Sequence, residues 1–179
     1  MPVPEQVMPQ LPPWFERKFD FSFPVELRPS LISRLRGTPA RLEETLSRRS
    51  PQIVVHKAQE KWSAQEHAGH LLDLEALWLA RVHDYMAGCE QLTAADLQNR
   101  KTHESNHNAR SLQEILLAFR TARKSLLGCV ETLEHPLFAR AIPHPRLKTP
   151  MRLVDHLYFV AEHDDHHLAR IWELVKQST

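Results

Sequence analysis

Ala161-Glu162-His163-Asp164-Asp165-His166-His167-Leu168-Ala169-Arg170-Ile171 sits inside an apolar-periodic run from Leu153 to Val175, and that period predicts one long helix. Residues four apart on a helix share a face, with Cβ atoms about 5–6 Å apart. His163 and His167 have that spacing, so both imidazoles can chelate one metal ion. His166 points about 100° away from His167 around the helix. A pair is half a site, because a stable metal centre usually takes at least three protein ligands. The third ligand has to come from another part of the chain.

The rest of the chain supplies the frame. At 179 residues it fits one domain. Hydrophobic residues make up 42% and charged residues 25%, ordinary for a globular protein. A net charge of +1 gives no field that would draw nucleic acid or an anionic membrane. No apolar run reaches the roughly 20 residues of a membrane span, and the N-terminus has no basic-then-apolar signal pattern. Cys89 and Cys129 are too few for a disulfide framework and carry no ligand-like spacing. Cytoplasm is the expected location. The outlier is histidine, with 12 copies, most of them in three groups: His67/His70, His103/His107 and His156/His163/His166/His167.

Residues 1–28 are rich in proline and end in aromatics (Trp14, Phe15, Phe19, Phe21, Phe23), which reads as a strap laid over a domain spanning 29–179. A helix is expected from about Ser30 to Leu46, kinked or split at Gly37-Thr38-Pro39. Residues 48–62 read as a linker. Ser63-Ala64-Gln65-Glu66 is a capping box that opens a helix from Ala64 to Ala87, closed by Gly88. Within it His70 shares the apolar face, and Gly69, costly in a helix interior, signals close approach of another element. Residues 89–110 form a long connection with a helical piece at Thr93–Leu97. The wholly polar stretch Asn99–Asn108 is expected at the bundle end where a metal opens to solvent. A second capping box, Ser111–Glu114, starts a third helix, and Thr149-Pro150 is expected to cap and open the last one. Four helical blocks without a convincing strand run predict an all-α fold: a four-helix bundle with long crossover connections.

His70 is the geometric candidate for the third ligand, since bundle metal sites use inward side chains on facing helices. His67 shares that face nearer the helix start, and His156 lies about 10 Å along the axis from His163, too far for the same ion. Asp73 and Glu66, one turn either side of His70, could each orient a ring N–H, with Glu66 already engaged in capping. Asp164 and Asp165 are expected to be solvated or paired with Arg170.

Trp62-Ser63, Gly69-His70-Leu71-Leu72-Asp73, His144-Pro145-Arg146, Met151-Arg152-Leu153 and His163-x-x-His166-His167 together resemble the DinB-like superfamily, specifically its YfiT-type branch, over about residues 30–175. The resemblance implies a four-helix bundle with a three-histidine metal site, carried here by His70, His163 and His167, with Asp73 matching the family pattern beside His70. It implies a metal-dependent hydrolase or thiol transferase, in which the ion activates water or a low-molecular-weight thiol. The alternative is a non-catalytic stress-response or interaction protein, marked by a fourth protein ligand that closes the site. The expected metal is zinc or nickel, with manganese or iron next. Expected partners are a small-molecule substrate, a low-molecular-weight thiol among the options, and a second copy of the chain in a homodimer. His103 and His107 have no apolar period to explain them.

Overall fold

The structure, a computed structural model, describes residues 11–57 and 61–177. Among the described residues six α-helices follow in order: α1 (Arg28–Leu46), α2 (Pro51–Val55), α3 (Ala64–Ala87), α4 (Arg100–Glu104), α5 (Leu112–Glu131) and α6 (Leu153–Gln177). A short hairpin, β1 (Ala141–Pro143) paired antiparallel with β2 (Pro150–Arg152), precedes α6. The four long helices make the expected bundle: α3 packs on α5 and α6, and α1 packs on the same two, so α1 and α3 lie across the bundle from each other.

Two apolar clusters fill the interior. One joins Leu31 and Leu35 of α1 to Trp78, Val82 and Tyr85 of α3, Leu126 and Val130 of α5, and Val154 and Leu157 of α6. The other joins Leu42 and Leu46 to Ala64, Ala68 and Leu71, to Ile115 and Phe119, and to Ile171 and Val175. The starts of α1 and α6 thus share one end of the bundle with the ends of α3 and α5. Neighbours α3 and α5 run the same way, so the chain must travel back along the bundle between them. A 24-residue helix is about 36 Å long, which is why the 88–111 connection is long. Between the clusters, at mid-height on all four helices, lies a buried polar layer: Thr38, Asp73, Glu75, Arg123, His163, Asp164 and His167.

Several local expectations change. Helix α1 continues through Pro39 without a break. Proline removes the N–H that would bond the Leu35 carbonyl, but the buried Arg123 guanidinium donates to that oxygen at 3.1 Å. The expected linker contains α2, which buries Val54. The predicted helical piece at Thr93–Leu97 is absent, and the short helix is α4 instead. Asp96 decides this: its carboxylate accepts from the amides of Gln98 (3.1 Å) and Arg100 (2.9 Å), a turn that competes with a helix. The Ser63 box forms as expected and Gly88 closes α3 at φ 70°, whereas Ser111 precedes α5 without a side-chain cap. Pro150 lies in β2 rather than in the first turn of α6; the start of α6 is held by Asp155, whose carboxylate accepts from the Arg152 amide at 2.8 Å.

Of the strap, residues 1–10 lie outside the described residues. Trp14, Phe19, Phe21 and Phe23 pack on the first cluster. Arg17 pairs with Glu162, and Arg152 Nη2 donates to the carbonyls of Phe21 and Phe23 at 2.8 and 2.9 Å. No helix among the described residues is long and apolar enough to cross a membrane.

Candidate metal centre

His70 on α3 and His163 and His167 on α6 meet in the polar layer, with one ring nitrogen from each within 4.8 Å of the others. All three side chains are buried. The Nε2 atoms of His163 and His167 stand 3.2 Å apart. Two imidazole nitrogens each about 2.0 Å from one tetrahedral ion would be about 3.3 Å apart, so the pair has the separation of two ligands on a single cation.

The outer faces of the rings are held by the protein. His70 Nδ1 lies 3.0 Å from the Thr102 hydroxyl, and that hydroxyl lies 3.0 Å from Asp73 Oδ2. An ionised carboxylate only accepts, so Thr102 donates to Asp73 and its oxygen accepts from His70 Nδ1–H. The remaining nitrogen, Nε2, is left with a free lone pair. Asp73 therefore orients His70 through Thr102, not by the direct contact expected from the sequence. The same Asp73 oxygen accepts from His107 Nε2 at 2.8 Å. Burial works against its charge, but the His107 and Thr102 hydrogen bonds and nearby Lys101 hold its pKa below the ordinary carboxylate value. Glu66 stays with the cap and pairs with Lys57 at 2.9 Å. His167 Nδ1 lies 2.8 Å from His67 Nδ1, so His67 backs the His167 ring and is not itself part of the three-nitrogen group.

Burial makes these histidines hard to protonate. It lowers the His70 pKa to about 4, partly offset by Asp73, and the His67 pKa to about 3, helped by repulsion from His70 and His166. His163 and His167 are pushed well below the usual imidazole value, first by burial and then by each other's neighbours. At neutral pH the three are neutral donors, the state that metal ligation requires.

The other sequence candidates fall around this group. His156 packs near Trp78 and Tyr85, away from the three nitrogens. His166 faces Trp14 and is buried, not turned to solvent. The Asn99–Asn108 stretch does reach His70, but it runs along the side of the bundle at mid-height and not at its end. It delivers Thr102 and the buried His107, while His103 is exposed near Trp62. Gly69 is explained here, since a Cβ at that position would overlap the His107 ring. Asp164 is neither solvated nor paired with Arg170: it is fully buried, bound to Arg123 Nη1 at 2.6 Å and to the Thr38 hydroxyl at 2.7 Å. Asp165 pairs with Arg34 and Arg41. Arg170 bonds Glu173 and the Leu11 carbonyl.

A cavity of about 330 Å³ opens beside the cluster, lined by His70, His163, Trp14, Trp62 and Trp78 and, further along, by Arg81, His144 and Arg146. Neither cysteine lines it.

Fold and site together define a class: a four-helix bundle with three buried imidazoles converging from two facing helices next to a small apolar cavity. The chain belongs to the DinB superfamily, whose family model matches residues 34–171. No curated protein matches it. Among solved structures, YfiT from Bacillus subtilis, described as a probable metal-dependent hydrolase with an unusual four-helix bundle topology, superposes with a TM-score of 0.79 at 19% identity, over 91% of this chain and 94% of that one. A mycothiol-dependent maleylpyruvate isomerase superposes with a TM-score of 0.65 at 11% identity, over 82% of this chain and 60% of that one. At these identities the likeness is one of fold.

Proposed function

We propose that this protein is a metal-dependent enzyme in which His70, His163 and His167 hold one divalent ion and a small molecule reacts in the adjoining cavity. The observation that carries the reading is the convergence of three neutral imidazole nitrogens within 4.8 Å, two of them 3.2 Å apart, beside a cavity that His70 and His163 line. Three protein ligands suit catalysis better than structure, because structural sites are usually closed by four. Among the described residues no fourth ligand joins the group, which favours the enzyme over the non-catalytic interaction protein.

An ion held there would supply Lewis acidity, bringing the pKa of water or a thiol toward neutrality. The chain's own part is positioning. Thr102 and Asp73 fix the His70 tautomer, His67 supports His167, and Trp14, Trp62 and Trp78 make an apolar wall that limits water around the reacting molecule. No cysteine or serine lines the cavity, so this reading gives the nucleophile's role to water or a thiol and includes no covalent enzyme intermediate. The reaction class we propose is hydrolysis or transfer to a low-molecular-weight thiol. Support comes from the resemblance to a probable metal-dependent hydrolase and to a thiol-dependent isomerase. Zinc and nickel are the preferred metals, with manganese and iron next; imidazole suits zinc, nickel and iron, whereas manganese favours oxygen ligands.

The test is a screen of protein loaded with each of these metals against electrophiles with glutathione, bacillithiol or mycothiol, beside an ester and amide hydrolysis panel. His167→Ala should abolish any activity found while leaving the helical circular-dichroism signal in place. Turnover that survives both chelation and that substitution would place the chemistry elsewhere.

A further inference from the structure

The far wall of the same cavity carries more hydrogen-bond donors than the protein can satisfy. Arg81 is 1% exposed, yet no carboxylate pairs with it among the described residues. Its Nε donates to the Thr93 carbonyl at 2.9 Å, and its Nη1 lies 3.1 Å from His144 Nε2. His144 Nδ1 in turn faces the backbone N–H groups of Arg146 (3.2 Å) and Leu147 (3.1 Å). A neutral imidazole has one lone pair and one N–H. Donors approach both of its nitrogens, so one of them has no acceptor whichever tautomer forms. Protonation would only add a donor, and burial together with Arg81 and Arg146 already lowers the His144 pKa to about 3.

Arg146 adds to the surplus. Its guanidinium sits near the Phe15 and Phe159 rings, 5.3 and 5.8 Å from their centroids, with no carboxylate partner among the described residues. Its Nη2 is buried and makes no hydrogen bond. The one acid on the cavity wall, Asp96, is already engaged by Arg100 and by two backbone amides. Burial lowers the Arg81 pKa to about 10, outweighing Asp84, which favours the charge without forming an ion pair. Two guanidinium groups held at an apolar cavity with no carboxylate in ion-pair contact cost desolvation free energy unless an anion meets them.

We infer that the Arg81–His144–Arg146 wall is a recognition site for a carboxylate, and that the substrate is a small organic acid whose apolar body lies along the tryptophans with its other end toward the histidines. The inference rests on the proposed function only in taking this cavity as the place where substrate binds. A planar guanidinium matches the two oxygens of a carboxylate, and about 330 Å³ suits a small molecule.

Trp14, Trp62 and Trp78 line the cavity, so tryptophan fluorescence of the full-length protein as purified reads binding directly. Titrations would use phenylacetate, its neutral counterpart phenylacetamide, and phenyl phosphate, with metal content measured on the same samples. Phenylacetate should bind saturably. Its Kd should rise about ten- to a hundredfold on replacement by the amide, and likewise in Arg146→Met, the range expected for losing a charge-assisted hydrogen bond. Equal binding of acid and amide, an unchanged Kd in Arg146→Met, tighter binding of phenyl phosphate, or no saturable response to phenylacetate overturns the assignment. As a second reading on the unaltered protein, phenylglyoxal should modify Arg146 and phenylacetate should protect it; modification without protection also overturns it. Arg146-dependent acid binding in a protein that takes up no metal would sink the proposed metalloenzyme and leave this site standing. Acid binding that vanishes on chelation but ignores Arg146→Met would do the reverse.

Discussion

Two buried polar groups share the middle of this bundle, and they are built on opposite principles. Around Arg123 every polar group has a hydrogen-bond partner: two carboxylates share one guanidinium, and burial together with Asp164 raises the Glu75 pKa to about 7 against the pull of Arg123. The guanidinium meets Glu75 at 2.7 Å and Asp164 at 2.6 Å, gives its remaining reach to the Leu35 carbonyl, and Thr38 donates to Asp164. Burial opposes the Arg123 charge, but Asp164 and Glu75 outweigh it and raise its pKa. One turn away, the His70, His163 and His167 nitrogens converge as neutral acceptors, supported from behind by Thr102, Asp73 and His67. The first group is complete within the chain and ties α1, α3, α5 and α6 together. The second spends its protein contacts on aiming lone pairs at one point. Asp164 and His163 are adjacent in sequence, so the complete group fixes the backbone from which an imidazole of the other is presented.

The contrast is sharpened most by acid. Burial lowers the His67 and His70 pKa to about 3 and about 4 in the folded, metal-free chain, against 6.5 for an ordinary imidazole. The unfolded chain therefore binds protons first, and stability present above pH 6.5 is lost as pH falls through the window from 6.5 to about 3–4. Urea melts of chelated protein should show a loss of several kcal/mol across that window. A flat profile would mean the histidines are not buried as described. Next in size is the complete group. Arg123→Met leaves Glu75 and Asp164 buried without their cation and the Leu35 carbonyl without its donor, and should lower unfolding free energy by about 3–5 kcal/mol. A change under about 1 kcal/mol in denaturant melts would show that the network is not the tie proposed here.

Thr102→Val keeps the volume of the side chain and removes the relay between Asp73 and His70. Metal affinity, read by competition with a chromophoric chelator, should fall about ten- to a hundredfold while the helical signal holds. Equal affinity would show that the His70 tautomer does not depend on Thr102. Gly69→Ala gives the smallest effect. The added methyl overlaps the His107 ring, and the strain of about 1–3 kcal/mol is partly offset by the helix propensity of alanine, about 1 kcal/mol better than glycine. A small net drop in melting temperature is expected, and a rise would mean the His107 ring yields freely.

The bundle and its histidines were legible in the sequence because both are periodic. His163 and His167 lie four apart, His70 shares the inward face of α3, and Gly69 signalled a close neighbour that proves to be His107. What stayed hidden depends on contacts between distant segments. Pro39 looked like a break because the donor that replaces its missing N–H comes from Arg123, 88 residues beyond the Leu35 carbonyl it serves. Thr102 and His107 sit in a stretch with no apolar period, and only the parallel run of α3 and α5 forces that stretch back along the bundle to His70. Asp164 looked like a surface acid because its partner lies on α5. Arg81 likewise carries no local signal, and His144-Pro145-Arg146 is visible only as part of the resemblance; the surplus of donors exists only once His144 stands between the two arginines.

The proposed enzyme requires one divalent ion per chain. Elemental analysis of protein purified without an affinity tag, then reloaded and desalted, measures this directly. About one equivalent of zinc, nickel, manganese or iron is predicted, and His163→Ala should lose it while remaining helical. Wild-type protein that cannot be loaded with any of the four, or a His163→Ala variant that retains a full equivalent, contradicts the central claim.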